Sequence, residues 1–215
     1  MNNWQEITRA EKSLTQAFPE CALTDLSHFG LIRISGADSR AFLQGQLTND
    51  INAVTPELAQ FSSYCNPKGR MLGSFWIFQR DEDLYLQLPA GLLESVLKRL
   101  RMFVLRSDAR LHDASTELAR FAISGDCAEQ LLPFVPSDDK ACLTREQTTI
   151  IRLPGDRPRF ELIGPPEILA QTWRRLLDTA EQTGPDFWSL MDIRAGMPTV
   201  FEDTLEAFVP QMANL

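Results

Sequence analysis

Asn66-Pro67-Lys68-Gly69-Arg70 runs into Met71-Leu72-Gly73-Ser74-Phe75-Trp76-Ile77-Phe78, and the fold is read outward from this stretch. Asn, Pro and Gly at close spacing predict a tight turn, and the apolar, aromatic run behind it predicts a strand. Side chains alternate across a strand, so Gly73, Phe75 and Ile77 share one face and Ser74, Trp76 and Phe78 the other. Neither Gly73 nor Ser74 carries an ionisable group. A strand from Phe61 to Cys65 precedes the turn. The charged turn Arg80-Asp81-Glu82-Asp83 leads to a third strand, Leu84 to Leu88, which makes an antiparallel meander. Pro89-Ala90-Gly91 then opens a helix with Leu92, Leu93, Val96, Leu97 and Leu100 on one face.

Upstream, the spacing predicts an amphipathic helix over Trp4 to Ala17, ended by Pro19, then short strands over Leu23 to Leu26 and Gly30 to Ser35. Gly36-Ala37-Asp38 turns the chain, with Asp38 as N-cap of a helix through Leu47 that Thr48-Asn49-Asp50-Ile51 closes. Downstream, strands are expected at Arg110 to Asp113 and Leu118 to Ser124, then a helix from Gly125-Asp126 to Leu132. Pro133 to Lys140 reads as a loop, and Thr148 to Leu153 with Arg159 to Ile163 as a hairpin. Helices follow over Glu167 to Glu181 and Asp186 to Ala195. Ile34-Ser35-Gly36-Ala37-Asp38 and Ile123-Ser124-Gly125-Asp126 are alike, which hints at two related halves, although Ser-Gly-Asp is also a common junction. The fold class is α+β, drawn as two lobes over residues 1–108 and 109–215.

The 215 residues are 44% hydrophobic and 23% charged, enough for a sizeable core. A net charge of −8 repels nucleic acid and anionic membrane over most of the surface, so neither is an expected direct partner. The basic run Lys98, Arg99, Arg101, Arg106 and Arg110 is either a solvated helix face or a landing site for an anionic ligand tail. No stretch reaches the ~18 apolar residues of a membrane span, and the polar start Met1-Asn2-Asn3-Trp4-Gln5-Glu6 is unlike a signal peptide. A cytoplasmic or organelle-matrix location is expected. Cys21, Cys65, Cys127 and Cys142 have no C-x-x-C spacing. With only His28 and His112 beside them, no metal site is expected, and separate reduced thiols are the default.

Five ordered segments carry a family resemblance. They are Ile34-Ser35-Gly36-Ala37-Asp38 with Phe42-Leu43-Gln44-Gly45-Gln46-Leu47-Thr48-Asn49-Asp50; Cys65-Asn66-Pro67-Lys68-Gly69-Arg70-Met71; Leu97-Lys98-Arg99-Leu100 with Phe103-Val104-Leu105-Arg106-Ser107; Ile193-Arg194-Ala195-Gly196-Met197-Pro198; and Phe208-Val209-Pro210-Gln211-Met212-Ala213-Asn214-Leu215. Together they resemble the YgfZ branch of the glycine-cleavage T-protein-like superfamily. That resemblance implies a T-protein-like folate-binding fold of two related lobes with mainly antiparallel sheets, and tetrahydrofolate as ligand. It also implies an accessory role in iron–sulfur cluster assembly or repair, associated with tRNA modification, with iron–sulfur assembly proteins as partners. The family continues past Asn-Leu into a Lys-Gly-Cys-Tyr-x-Gly-Gln-Glu motif and a C-terminal barrel. This chain stops at Leu215, so that thiol motif is expected to be missing from it.

By resemblance, the ligand-binding set is Leu43, Leu47, Asn49, Asp50, Cys65, Ser74, Trp76, Leu88, Arg106 and Arg194. The leucines and Trp76 would serve as walls and the arginines as anion contacts. Plain core packing is the alternative for the leucines, and local backbone hydrogen bonding for Asn49 and Asp50. In T-proteins the positions of Gly73 and Ser74 are both Asp, and that of Arg194 is a Glu that accepts from the pterin. A guanidinium offers donors and no acceptor. Asp192, two residues earlier, falls on another helical face. Arg194 could otherwise pair with acids near Asp192 or with Glu202. No catalytic set emerges, and the reading leans to a binding protein rather than an enzyme. The alternatives are a folate-dependent one-carbon transferase or demethylase with its acid elsewhere, and an interaction module with a vestigial cavity.

Overall fold

The computed structural model describes residues 3–8, 18–213 and 215. Two sheets organise it. The first has strand order β3-β4-β5-β2-β6, from β2 (Phe29–Ser35), β3 (Gln60–Cys65), β4 (Met71–Arg80), β5 (Asp83–Pro89) and β6 (Arg110–Asp113). All its neighbours are antiparallel. The second has order β11-β1-β7-β10-β9-β8, from β1 (Cys21–Asp25), β7 (Ala119–Gly125), β8 (Cys142–Arg145), β9 (Thr148–Arg152), β10 (Arg159–Gly164) and β11 (Glu181–Thr183). Only β1 and β11 pair in parallel. The helices are α1 (Asn3–Ile7), α2 (Ser39–Gln44), α3 (Ala90–Val104), α4 (Ala128–Leu131), α5 (Pro166–Leu176) and α6 (Pro185–Arg194).

The two compact units are Phe29–Ser115 with Pro198–Leu215, and Met1–His28 with Thr116–Met197. Each takes two chain segments, so a linear cut at residue 108 does not coincide with them. The physical reason lies in two returns of the chain. Strand β1 is hydrogen-bonded to β7, and residues 200–208 return to β4.

The five-stranded unit buries its core on the helix side of the sheet, with Ile32, Ile34, Phe75, Ile77, Leu86 and Leu88 packed against Leu92, Val96, Leu97 and Leu100 of α3. The alternation expected along β4 holds: Phe75 and Ile77 belong to this cluster, while Trp76 and Phe78 do not. In the six-stranded unit, Leu23, Phe121, Ile123, Phe160 and Leu162 pack against Leu169, Trp173 and Leu176 of α5 and against Trp4. Ala22 on the other sheet face meets Phe187 and Met191 of α6.

The units share one plan. β2-α2-β3-β4-β5-α3-β6 and β7-α4-β8-β9-β10-α5-β11 have the same element order and the same strand order, except that β1 is inserted between β7 and β11. The Ser-Gly junctions correspond as well: Gly36 has φ +110° and Gly125 φ +117°. Pro89 and Pro165, ahead of α3 and α5, have φ/ψ of −52/132° and −53/137°. These shared features support the internal duplication hinted at by the sequence.

Three local expectations are corrected, and one strand without a sequence expectation is added. Asp38 stands at the N-cap of α2 without capping it; its carboxylate accepts from the Asp108 N–H at 2.8 Å. Helix α5 ends at Leu176 rather than Glu181, because residues 181–183 hydrogen-bond along the edge of β1. Strand β8 had no turn signal: Glu146 and Gln147, at φ 47° and 63°, make the two-residue hairpin turn that usually recruits Asn or Gly. Cys21 and Cys127 form a disulfide with Cα atoms 5.7 Å apart, so the expectation of four separate thiols fails. The cause is register, since Cys21 sits opposite Gly125 and the next turn brings Cys127 alongside. Of the long N-terminal helix expected over Trp4 to Ala17, residues 9–17 lie outside the described residues.

Candidate functional site

The sheet face of the five-stranded unit opposite α3 is aromatic and polar. Trp76 sits across from Phe61 on β3 and Gln87 on β5; Phe78 sits across from Tyr85, and Ser74 across from Ser63. The Phe61 and Trp76 rings meet edge to face at 5.4 Å, and Phe78 stacks on Tyr85 at 5.2 Å. All seven side chains are buried. Burying hydroxyls and an amide beside rings carries a desolvation cost that hydrogen bonds must offset. The Ser74 hydroxyl meets this need by accepting from the Val200 N–H at 3.0 Å. Ser74→Ala strands that buried N–H, and urea unfolding should read a loss of about 1–3 kcal/mol.

Leu43, Leu47 and Leu88 all belong to the core of this unit. The corner after α2 is knitted by short polar side chains. Thr48 Oγ1 lies 3.0 Å from Ser63 Oγ, the Asn49 N–H donates to Ser62 Oγ, and Asn49 is half-buried. Asp50 is exposed, and its carboxylate accepts from the backbone N–H and side-chain amide of Asn52 at 3.0 and 2.9 Å. Asp50 thus serves a backbone group where it stands, while the Asn49 side chain accepts from the Thr48 hydroxyl at 2.9 Å. Cys65 is half-buried at the β3–β4 bulge, and burial pushes its thiol up, with Ser63 opposing. It is protonated at neutral pH.

Arg106 is exposed beyond α3 and lines an open cleft with Asp38, Phe103 and Leu105. Within the basic run, Arg101 donates to the Leu111 carbonyl at 2.7 and 3.0 Å, and Arg110 pairs with Asp108 at 3.1 Å.

Arg194 belongs to the six-stranded unit. It pairs with Asp156 at the surface and lies over the Phe18 ring at 4.7 Å. Its partner is therefore neither an acid near Asp192 nor Glu202. Asp192 points the other way. It pairs with Arg159 on β10, whose side chain is 0% exposed against 13% for Asp192. The Arg159 guanidinium carbon also sits 4.4 Å over the Trp188 ring, and its Nε and Nη1 have no hydrogen-bond partner. Burial pushes the Asp192 carboxyl above its ordinary range, while the charge and hydrogen bond of Arg159 pull it back. Ser124 lies opposite Arg159 on β7, and Glu161, 1% exposed, is two residues further along the same strand face.

This buried cluster was missed in the sequence, although Arg159-Phe160-Glu161-Leu162 places two charges at alternate positions of an apolar strand. That pattern signals a polar sheet face. Among the described residues no group of three or more His, Cys, Asp and Glu could hold a metal ion.

The family model described as the GCVT N-terminal domain matches residues 2–146. Curated relatives include the tRNA-modifying protein YgfZ of Colwellia psychrerythraea, 32% identical over 94% of this chain and 63% of that protein. Those of Photorhabdus laumondii and Yersinia enterocolitica are 29% and 27% identical, over 90% and 96% of this chain and 59% and 63% of theirs. The chain thus spans about six tenths of their length. Among solved structures, the glycine cleavage system aminomethyltransferase T of Bartonella henselae matches with a TM-score of 0.66 at 18% identity, covering 84% of this chain and 49% of that one. Heterotetrameric sarcosine oxidase of Corynebacterium matches at 0.52 and 11%, covering 74% and 82%. At such identities the two structural likenesses show the fold alone.

Proposed function

The chain belongs to the GCVT N-terminal domain family, and on that premise we propose that it binds a reduced folate, tetrahydrofolate or a close derivative, without aminomethyl transfer. In the cytoplasm it serves iron–sulfur cluster assembly or repair together with assembly proteins, in the tRNA-modification setting for which its relatives are named. The observation that carries this reading is the family match over residues 2–146, and the open cleft beyond α3 offers the Phe103 ring for a planar heterocycle and the Arg106 guanidinium for a carboxylate tail. Gly73 and Ser74 hold no proton to give or take near neutral pH, so this strand lacks a general acid or base.

Titration of the purified chain with tetrahydrofolate, followed by tryptophan fluorescence and calorimetry, is expected to show saturable binding. Incubation with an aminomethyl donor and tetrahydrofolate should give no methylene transfer. Absence of binding removes the folate reading; turnover removes the non-catalytic part of it. Turnover would favour a second reading, a one-carbon transferase with its acid elsewhere. The raised Asp192 carboxyl is what speaks for it.

A further inference from the structure

We propose that Cys21 and Cys127 are a reversible redox site, oxidised by exchange with a low-molecular-weight disulfide such as glutathione disulfide, that fastens the inserted strand β1 to the second repeat.

The two cysteines are brought together by contacts that do not depend on the bond. Cys21 and Gly125 are register partners on β1 and β7. The Gly125 N–H donates to the Pro158 carbonyl at 2.9 Å. Arg157 clamps both approaches: it donates to the carbonyls of Pro19 and Glu20 at 2.9 and 3.1 Å, and lies 3.7 Å from the Asp126 carboxylate. Residues 20 and 126 directly precede the two cysteines. The dithiol form therefore keeps its sulfurs adjacent, which is the requirement for repeated opening and closing. Cys65 and Cys142 keep their thiols.

Access is one-sided. Cys21 is 5% exposed, while Cys127 is half-exposed and receives the first exchange. The Cys127 thiolate attacks glutathione disulfide, forming a mixed disulfide and releasing one glutathione thiolate. The Cys21 thiolate then attacks the Cys127 sulfur and expels the second. Two protein thiols lose two electrons to the glutathione disulfide, and their two protons end on two glutathione molecules. The bond closes a sequence separation of 106 residues. Its first structural effect falls on β1, the strand that carries Ala22 against Phe187 and Met191 of α6.

The test equilibrates the purified chain in glutathione buffers of graded ratio, quenches with acid, alkylates and maps by mass spectrometry. Two of the 4 cysteines should escape alkylation on the oxidised side, and the mapped bond should be Cys21–Cys127. Reduction should lower the thermal transition of the six-stranded unit by roughly 5–15 °C. Cys127→Ser should abolish the protected pair and the reductant effect, and Cys65→Ser neither. Alkylation of all four cysteines at every ratio, or a bond to Cys65 or Cys142, overturns the proposal. Because wild-type alkylation needs no variant, a poorly folded serine variant leaves the test decisive.

Discussion

Gly125→Ala should destabilise the six-stranded unit by about 3 kcal/mol or more. Two costs coincide at this position. The φ of +117° lies where side chains other than glycine are rarely tolerated. An added Cβ would also stand 2.0 Å from the Glu20 carbonyl oxygen, against backbone that cannot swing away. Gly36→Ala meets the equivalent obstacle in the five-stranded unit, with φ +110° and the Asp108 carbonyl oxygen 2.2 Å from the new Cβ. Gly69 and Gly196 provide the control, since both have positive φ and nothing within 4 Å of an added Cβ. Alanine there should cost only about 1 kcal/mol. Urea unfolding by circular dichroism separates the two classes. A Gly125→Ala loss no larger than that of Gly69→Ala would show that the approach of the Glu20 carbonyl does not govern the cost at this position.

Asp192→Asn should cost about 3–5 kcal/mol, because it leaves the fully buried Arg159 guanidinium without its counter-charge. Arg159→Met alone strands the buried carboxylate in the same way. Asp192→Leu combined with Arg159→Met should recover most of the loss, since removing both charges also removes both desolvation costs. The pH dependence follows from the raised Asp192 carboxyl. Between the ordinary aspartate value of 3.8 and the higher folded value, the folded state binds more protons than the unfolded one. This group therefore costs nothing below 3.8, and its cost grows as pH rises through the folded value. The wild type should lose stability relative to the double variant across that window. A double variant as unstable as the singles would overturn the coupling. Arg194→Ala makes the contrast: its pair with Asp156 is about two-fifths exposed, and its loss should stay near 0–1 kcal/mol.

The helices were legible where one face was buried and the other was not, and the central strands where a short apolar run was bounded by turn residues. The apolar spacing of α3 located its core face in advance, whereas β4, buried on both faces from Gly73 to Phe78, was legible as an apolar run whose two faces follow from the pleat. Elements held mainly by partners left no such mark. Strand β11 exists because β1 offers it an edge, and β8 turns on Glu146 and Gln147, which look like nothing more than a charged loop.

The candidate site divides in the same way. That Trp76 and Ser74 face away from α3 follows from counting residues. That Ser74 is held by Val200, that Asp50 closes its own corner, and that Arg194 answers Asp156 do not. Each of those partners is brought in by the path of the chain through space. Arg159 and Glu161 show the intermediate case, a visible alternation whose weight appears only once their burial is known.

The sequence by itself determined the family, the α+β class, the faces of the main strands and helices, and the absence of carboxylates at Gly73 and Ser74. These are properties of residue type and period along the chain. Only the tertiary structure decided that β1 inserts into the second repeat, that Cys21 therefore meets Cys127, and that Asp192 rather than Arg194 turns inward onto Arg159. Those outcomes depend on pairing across 33 or more residues, where sheet register and packing set the distance and local sequence does not.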